Sequence, residues 1–150
     1  MKPTRPLPLA GITVIVALLS LMVVRFTYSD LPLLTWTAIP VVLLMAFGEA
    51  YSGWMTRLRL ARKGDTKPVE PLVVARLAAL AKATAYTGAV FGGLYAGVAL
   101  HTMTLLEQET PRREFFIATG SFLSFVALIG AALFLEHSCR VPKTDQHAKD

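Results

Sequence analysis

One apolar segment, residues 72–103, constrains the fold of this chain more than any other feature. It follows Pro71, contains no proline, and would form about 48 Å of helix, which is more than a bilayer requires. The segment is too apolar for the surface of a soluble protein, yet it carries Arg76 and Lys82 near its start. We therefore predict a membrane-spanning helix whose first turns, with Arg76, project into the aqueous phase.

Small residues recur at four-residue spacing along this segment, which makes it the predicted centre of a helix bundle. Residues four apart lie on one face of a helix, and small side chains let helices approach closely where lipid supplies no hydrophobic drive. The predicted packing residues are Thr84, Gly88, Gly92, Gly93, Ala96 and Gly97. Packing against other helices of the same chain is the favoured interpretation, and homodimerisation is the alternative.

The composition indicates a membrane protein of one domain. The 150 residues are 54% hydrophobic, only 17% are charged, and the mean hydropathy is +0.53, which is outside the range of ordinary soluble domains. The net charge of +5 does not indicate nucleic-acid binding, because the basic residues flank the apolar segments, where topology rules place them. Cys139 is the single cysteine, which excludes an intrachain disulfide and a zinc site built from several thiolates.

The apolar segments predict an all-α, integral membrane four-helix bundle. The predicted spans are residues 9–26, 33–54, 72–103 and 115–135, separated by a tail (1–8), a basic loop (55–70), a short connection (105–114) and a second tail (136–150). Trp36 and Trp54 would lie about 27 Å apart along the second span, close to the thickness of the hydrocarbon core. Pro40 is expected to bend that helix, and Thr110–Pro111 is expected to form a turn.

The distribution of lysine and arginine predicts the orientation. The two tails, the basic loop and the start of the third span hold all of the 15 basic residues except Arg25, Arg112 and Arg113. Because the excess of lysine and arginine stays in the cytoplasm, both termini are expected to be cytoplasmic. The chain is therefore predicted to be a multi-pass protein of the plasma membrane.

Glu49 and Lys82 are the candidate functional pair. Glu49 precedes Trp54 by little more than one turn, so it is expected to be buried by about 7 Å, and an ionisable group at that depth is a functional hypothesis by default. Both side chains are expected near the cytoplasmic side, where they would form an intramembrane ion pair, with Arg76 as a further candidate. A structural pair, or a lysine that reaches the interface along its apolar stem, is the favoured interpretation. A proton or ion relay is the alternative.

The basic loop is a candidate contact for anionic lipid headgroups. Its candidate residues are Arg57, Arg59, Arg62, Lys63 and Lys67. The favoured interpretation is simpler, namely that these charges determine the topology. Glu136, His137 and Cys139 resemble the start of a metal site, but a single thiol without a second ligand cluster leads us to predict no metal and no cofactor.

Several stretches together resemble one known family. They are Pro32-Leu33-Leu34-Thr35-Trp36, Glu49 with Gly53-Trp54, Val69-Glu70-Pro71-Leu72, the run ARLAALAKA from Ala75 to Ala83, and Leu135-Glu136 with Cys139-Arg140. The chain resembles, over nearly its whole length, the actinobacterial membrane-protein family catalogued as domain of unknown function 3180. The resemblance implies four spans in the plasma membrane of an actinobacterium. It also implies a genomic neighbourhood of pterin and folate biosynthesis genes, and it supplies no catalytic residues.

These observations predict a non-enzymatic accessory or scaffold subunit. The strip of small residues, the short loops and the lack of a catalytic motif favour a packing role over chemistry. The expected partners are the lipid bilayer and an unidentified membrane or cytoplasmic protein, with a homo-oligomer as an alternative. A small transporter or channel component that uses Glu49 and Lys82 is the second hypothesis, and an integral membrane enzyme is the third.

Overall fold

The chain forms four long α-helices. The computed structural model describes residues 6–27, 34–61, 71–107 and 109–139. In chain order the helices are α1 (Pro6–Thr27), α2 (Ala38–Ala61), α3 (Pro71–Met103) and α4 (Glu109–Ser138). Each contains a segment that is long and apolar enough to cross a membrane, and the described residues contain no strand. The predicted all-α membrane fold is therefore confirmed.

The second helix begins and ends later than the predicted span. Residues 34–37 precede it in a non-helical conformation, in which the Thr35 and Thr37 hydroxyl oxygens lie 3.0 Å apart. Pro40 therefore falls in the first turn of α2, where its missing N–H would have had no partner within the helix. The predicted bend at Pro40 is not required. At the other end α2 continues to Ala61, well into the segment that the sequence assigned to a loop from residue 55.

The fourth helix is longer than predicted at both ends. It begins at Glu109, so Thr110 and Pro111 lie in a first helical turn and not in a separate turn. Proline fits this position because the N–H groups of a first turn have no partners within the helix. At the other end the Cys139 N–H donates a hydrogen bond of 3.0 Å to the Leu135 carbonyl. Residues 136–138, predicted to be part of a tail, are therefore helical.

The helices pack side by side in the spatial order α1, α3, α4, α2. α3 packs against α1 and α4, and α4 packs against α3 and α2. The predicted bundle had α3 as its single centre, whereas the structure has two central helices, because α2 packs on α4. The positions of the close contacts show that α1 and α3 run parallel to each other, as do α2 and α4. α3 and α4 run antiparallel. We define the proximal side as the side at which α1 and α3 begin and α2 and α4 end, and the distal side as its opposite.

α1 lies close against the backbone of α3. A Cβ atom on Gly97 would lie 2.6 Å from the Ala17 carbonyl oxygen, so only glycine fits at this contact. One turn away the Ser20 hydroxyl of α1 donates a hydrogen bond of 2.9 Å to the Leu94 carbonyl of α3. Small residues and side-chain hydrogen bonds are the means by which helices associate in a membrane, and both join α1 to α3.

The remaining two contacts are made by α4. The ring of Phe125 in α4 stacks with the rings of Phe91 and Tyr95 in α3, with ring centroids 5.8 Å apart in each pair. Toward α2, a Cβ atom on Gly53 would lie 3.2 Å from the Leu135 Cα atom, which marks a close approach of the two backbones. Because α2 and α3 both rest on α4, a groove remains between them.

Candidate functional site

Glu49 is buried on the face of α2 that packs against the bundle. The same face carries Val42, Ala46, Gly53 and Thr56, all of them buried. These positions recur every three or four residues, which is the spacing of one helix face. Only 9% of the Glu49 surface is exposed. The sequence thus places a carboxyl group on an otherwise apolar and small-residue stripe, where an ionisable side chain is costly.

The Glu49 carboxyl faces α3. It lies within hydrogen-bonding reach of the Thr84 side chain, and the Thr84 hydroxyl itself donates to the Leu80 carbonyl at 3.1 Å. One carboxyl oxygen, Oε2 of Glu49, is buried and has no hydrogen-bond partner among the described residues. A buried polar atom without a partner costs about 1–3 kcal/mol. Glu49 is therefore incompletely satisfied within this chain.

A groove between α2 and α3 adjoins this carboxyl, with α4 as its floor. It has a volume of about 410 Å³ and is lined by Val42, Met45, Ala83, Thr84, Thr87, Phe91, Tyr95, Phe125 and Leu128. Thr84 lies near its proximal end, beside Glu49, and Tyr95 lies at its distal end on α3, about 16 Å from Thr84 at 1.5 Å per residue. Ligand sites typically measure about 300–1,000 Å³ and combine apolar walls with a few polar groups. The groove has both properties, with Thr84, Thr87 and Tyr95 as its polar lining residues, and Glu49 adjoins it through Thr84.

A family model matches most of the chain. It covers residues 9–143, and the family is described as protein of unknown function (DUF3180). The chain belongs to the DUF3180 family. No curated protein and no solved structure matches it. The family named from the sequence is thereby confirmed, and the site must be interpreted from the residues of this DUF3180 chain alone.

The predicted partners of Glu49 lie elsewhere in this DUF3180 chain. Lys82 and Arg76 are both exposed on α3, and within the described residues neither of them makes an ion pair or hydrogen bond with Glu49. Lys82 precedes Thr84 by two residues, or about 200° of helical rotation at 3.6 residues per turn. Because Thr84 faces α2, Lys82 points away. The structure brings Glu49 together with Thr84 and not with the predicted cations.

Two of the predicted packing glycines meet α1. Cβ atoms on Gly93 and Gly97 would lie 2.7 Å from the Thr13 carbonyl oxygen and 2.6 Å from the Ala17 carbonyl oxygen, respectively. These are backbone atoms, which cannot rotate away. The two positions therefore require the smallest residue, and they are occupied by a helix of the same chain.

Two further predicted packing residues of α3, Gly88 and Gly92, face α4, whereas Thr84 faces α2 and lines the groove. A Cβ atom on Gly88 would lie 2.9 Å from Ile129 Cγ1, and one on Gly92 would lie 3.4 Å from Phe125 Cβ. Ala96 is half-buried. The four glycines of the strip thus pack within one chain. A homo-oligomer stays a prediction, and it would need a face other than these glycines.

The predicted lipid-contact residues are only partly within the described structure. Arg57 is exposed on α2, and Arg59 lies in the last turns of the same helix. Arg62, Lys63 and Lys67 lie outside the described residues. Contact of these five residues with anionic lipid stays a prediction.

Cys139 is buried at the proximal end of α4, among apolar residues that include Ala81 and Leu135. Burial raises the pKa of the Cys139 thiol, and the negative charge of Glu136 raises it further. A thiol is a metal ligand or nucleophile as the thiolate, which this environment disfavours. Within the described ranges no group of three His, Cys, Asp or Glu side chains could hold a metal ion.

Three features of the packing were not predicted from the sequence. They are the stacking of Phe125, the hydrogen bond from Ser20, and the close approach at Gly53. Gly53 follows Glu49 by four residues, and a glycine at that spacing was a signal that α2 also has a close contact. Serine and phenylalanine are common in spans, so neither residue gave a comparable signal.

Proposed function

We propose that this protein is a non-enzymatic accessory or scaffold subunit whose groove between α2 and α3 receives a transmembrane helix of a partner protein. The observation that carries the proposal is the buried Oε2 atom of Glu49, which has no hydrogen-bond partner in the part of the chain that the structure describes. A partner helix with a lysine, an arginine or a neutral donor at the depth of Glu49 would supply that partner. Polar side chains join helices in membranes in this way.

The walls of the groove suit a helix better than a lipid chain. Ala83, Thr84 and Thr87 are small residues on the α3 wall, and small residues let two helices approach closely. Phe91 and Met45 are partly exposed in the groove and would be covered by an added helix. An acyl chain would fill the apolar part of the groove, but it has no hydrogen-bond donor for Glu49.

Site-specific photocrosslinking in native membranes tests the occupant. A photoreactive residue replaces Met45 in the groove, and the control replaces Leu19 on the exposed face of α1. We expect an adduct with another membrane protein from position 45 alone, and its loss in the Glu49→Met variant, which removes the acceptor. Replacing a donor residue in the captured span should also abolish the adduct.

The other outcomes of that experiment contradict the proposal. Adducts with lipid alone would make the groove a lipid site, and adducts with a second copy of this chain would make it a homo-oligomer interface. An adduct that forms equally well with Glu49→Met would show that the carboxyl has no role in docking.

A stability measurement separates a docking residue from a structural one. Replacing Glu49 with methionine removes a buried atom that lacks a partner, so the purified protein should gain about 1–3 kcal/mol while the crosslink is lost. Ser121→Ala is the matched control, because the buried Ser121 hydroxyl also has no partner among the described residues and, unlike Glu49, makes no hydrogen bond to a residue of the groove. It should gain stability and keep the crosslink. A destabilised Glu49→Met protein would show that the carboxyl has a structural role.

A small transporter or channel component is the second candidate. The observation that favours it is the contact between Glu49 and Thr84. When the Thr84 hydroxyl donates to Leu80, its oxygen can only accept, so a proton on Glu49 would complete the bond. Protonatable carboxyls inside membranes take part in proton relays. In proteoliposomes without any partner, a relay predicts proton flux that Glu49→Gln abolishes, whereas docking predicts no flux.

The proposed location is the plasma membrane of an actinobacterium, with both termini in the cytoplasm. The concentration of basic residues on the proximal side supports this orientation, because lysine and arginine are retained on the cytoplasmic side. An impermeant thiol reagent on intact cells tests it: a cysteine at exposed Leu106 should be labelled, and one at exposed Leu72 should not. Labelling of Leu72→Cys alone would reverse the orientation.

A further inference from the structure

A second cavity lies on the distal side, away from Glu49. It has a volume of about 400 Å³ and is lined by Trp36, Glu109, Arg112, Arg113 and Phe116. Trp36 comes from the segment that leads into α2, and the other four residues lie in the first turns of α4. The cavity is therefore formed by two separate parts of the chain at the level where α4 begins.

Within the described residues, the two arginines of this cavity have no partner. Glu109 precedes Arg112 and Arg113 by three and four residues, the spacings at which oppositely charged side chains pair on a helix. Across the described residues, however, neither guanidinium makes an ion pair or a hydrogen bond. The described lining of the cavity thus has two cationic groups and one carboxylate, and its net charge favours an anion.

The shape of the guanidinium group and the aromatic walls together restrict the ligand. A guanidinium presents a planar fork of donors that matches phosphate oxygens. The Trp36 and Phe116 rings are 53% and 54% exposed, and aromatic rings at this level of a membrane protein contact the region between headgroups and acyl chains. A free phosphate ion would make no use of these rings, whereas a lipid would contact both the rings and the arginines.

We propose that this cavity binds the phosphate of an anionic lipid, with Arg112 and Arg113 as its ligands and Trp36 and Phe116 against the glycerol and upper acyl chains. Glu109 lies beside the phosphate position and reduces the affinity for the most highly charged headgroups. The site is separate from the groove between α2 and α3, so its existence does not depend on the proposed docking function.

Tryptophan fluorescence can report on this site alone. The chain has two tryptophans, so the Trp54→Phe variant leaves Trp36 as the single emitter. The protein is placed in phosphatidylcholine vesicles. A fixed fraction of the lipid is then replaced by brominated phosphatidylglycerol or by brominated phosphatidylcholine, and the quenching of Trp36 is measured. We expect preferential quenching by the phosphatidylglycerol. Each interfacial charge contributes about fivefold to the affinity for anionic lipid. The double substitution Arg112→Gln with Arg113→Gln should therefore lower the preference for phosphatidylglycerol by about twenty-fivefold.

Two control variants keep the proposal falsifiable. Arg25→Gln removes a third arginine at the distal end of α1 that does not line the cavity, and it should retain the full preference. Arg112→Lys with Arg113→Lys keeps both charges without the forks and should retain part of it. Brominated phosphatidylcholine should quench Trp36 equally in all variants, which shows that the fold is intact.

Defined results overturn the proposal. Equal quenching by the two lipids in the parent protein would mean that there is no anion site. A preference that survives the double glutamine substitution would exclude Arg112 and Arg113 as ligands. An equal loss in Arg25→Gln would make the effect one of general surface charge. Displacement of the brominated lipid by millimolar inorganic phosphate would assign the cavity to free phosphate.

Discussion

Replacing Gly97 with alanine tests the packing of α1 directly. The new Cβ atom would lie 2.6 Å from the Ala17 carbonyl oxygen, 2.6 Å from Ser20 Cβ and 2.8 Å from the Leu21 nitrogen. All three are backbone or Cβ atoms, so no side-chain rotation relieves the contact. Ordinary contacts begin at 3.4 Å, so α1 must move away from α3 by about 0.8 Å.

The cost of that movement follows from the contacts that it weakens. A gap of about 0.5–1 Å forfeits a quarter to a half of the dispersion attraction of each contact, and the hydrogen bond from Ser20 to Leu94, now 2.9 Å, would lengthen as well. Overpacking of this kind costs about 1–3 kcal/mol. Alanine recovers about 0.5–1 kcal/mol relative to glycine within a helix. We therefore expect Gly97→Ala to be destabilised by about 1–2 kcal/mol.

The matched control is Gly130→Ala in α4, because a Cβ atom there would have no neighbour within 4 Å. This variant should gain about 0.5–1 kcal/mol. Gly88→Ala should fall between the two, since its closest neighbour is a side-chain atom of Ile129 at 2.9 Å, which can move. Reversible unfolding in mixed detergent micelles, followed by circular dichroism, gives the three free energies. If Gly97→Ala is as stable as Gly130→Ala, the close approach of α1 and α3 is wrong.

Three further perturbations follow from the same contacts. Ser20→Ala should cost about 0.6–1 kcal/mol in the same unfolding assay, because the carbonyl of Leu94 loses its hydrogen bond; no change would mean that the bond is absent in the membrane. Phe125→Ala should cost about 3–5 kcal/mol, the usual loss for a stacked and buried ring, and a loss close to zero would contradict its central position. Alkylation of Cys139 should be slower at neutral pH than that of an exposed thiol, and should accelerate only at higher pH, because burial and Glu136 raise the pKa of Cys139. Because the raised pKa keeps the proton on the folded form, the free energy of unfolding should fall as the pH rises above the pKa of this thiol in the unfolded chain. Unfolding should restore an ordinary alkylation rate. Fast alkylation of the folded protein at neutral pH would contradict the burial of Cys139.

The four spans could be predicted from the sequence because length and apolar composition determine them locally. The helix ends could not be predicted in the same way, because they depend on single residues at each end and not on the average composition of the segment. Thr110–Pro111 was expected to form a turn between helices, whereas Pro111 lies in the first turn of α4, where proline is tolerated. Likewise α2 continues through Arg57, beyond the end of the predicted span, because arginine is a good helix former.

The candidate site could be predicted only in part, for a different reason. A carboxyl within a span identifies Glu49 as unusual from the sequence alone. Its partner depends on which helices are neighbours and on how each is rotated about its axis. Lys82 and Thr84 differ by about 200° of rotation, so a correct depth still allowed the wrong partner. The groove depends on α2 packing against α4, and no periodicity in the sequence specifies that choice.

The side-by-side order α1, α3, α4, α2 has a consequence for biosynthesis. Each of the first two helices packs against a helix that is synthesised after both of them. When α2 leaves the ribosome, the helices on which α1 and α2 pack have therefore not yet been synthesised. Ser20 and Glu49 then lack the Leu94 carbonyl and the Thr84 side chain that they contact in the finished protein. The hairpin of α3 and α4 is the first unit that can assemble from consecutive segments, and the earlier helices join it from its two flanks. Release of a nascent chain before α3 emerges should accordingly yield material that membrane proteases degrade.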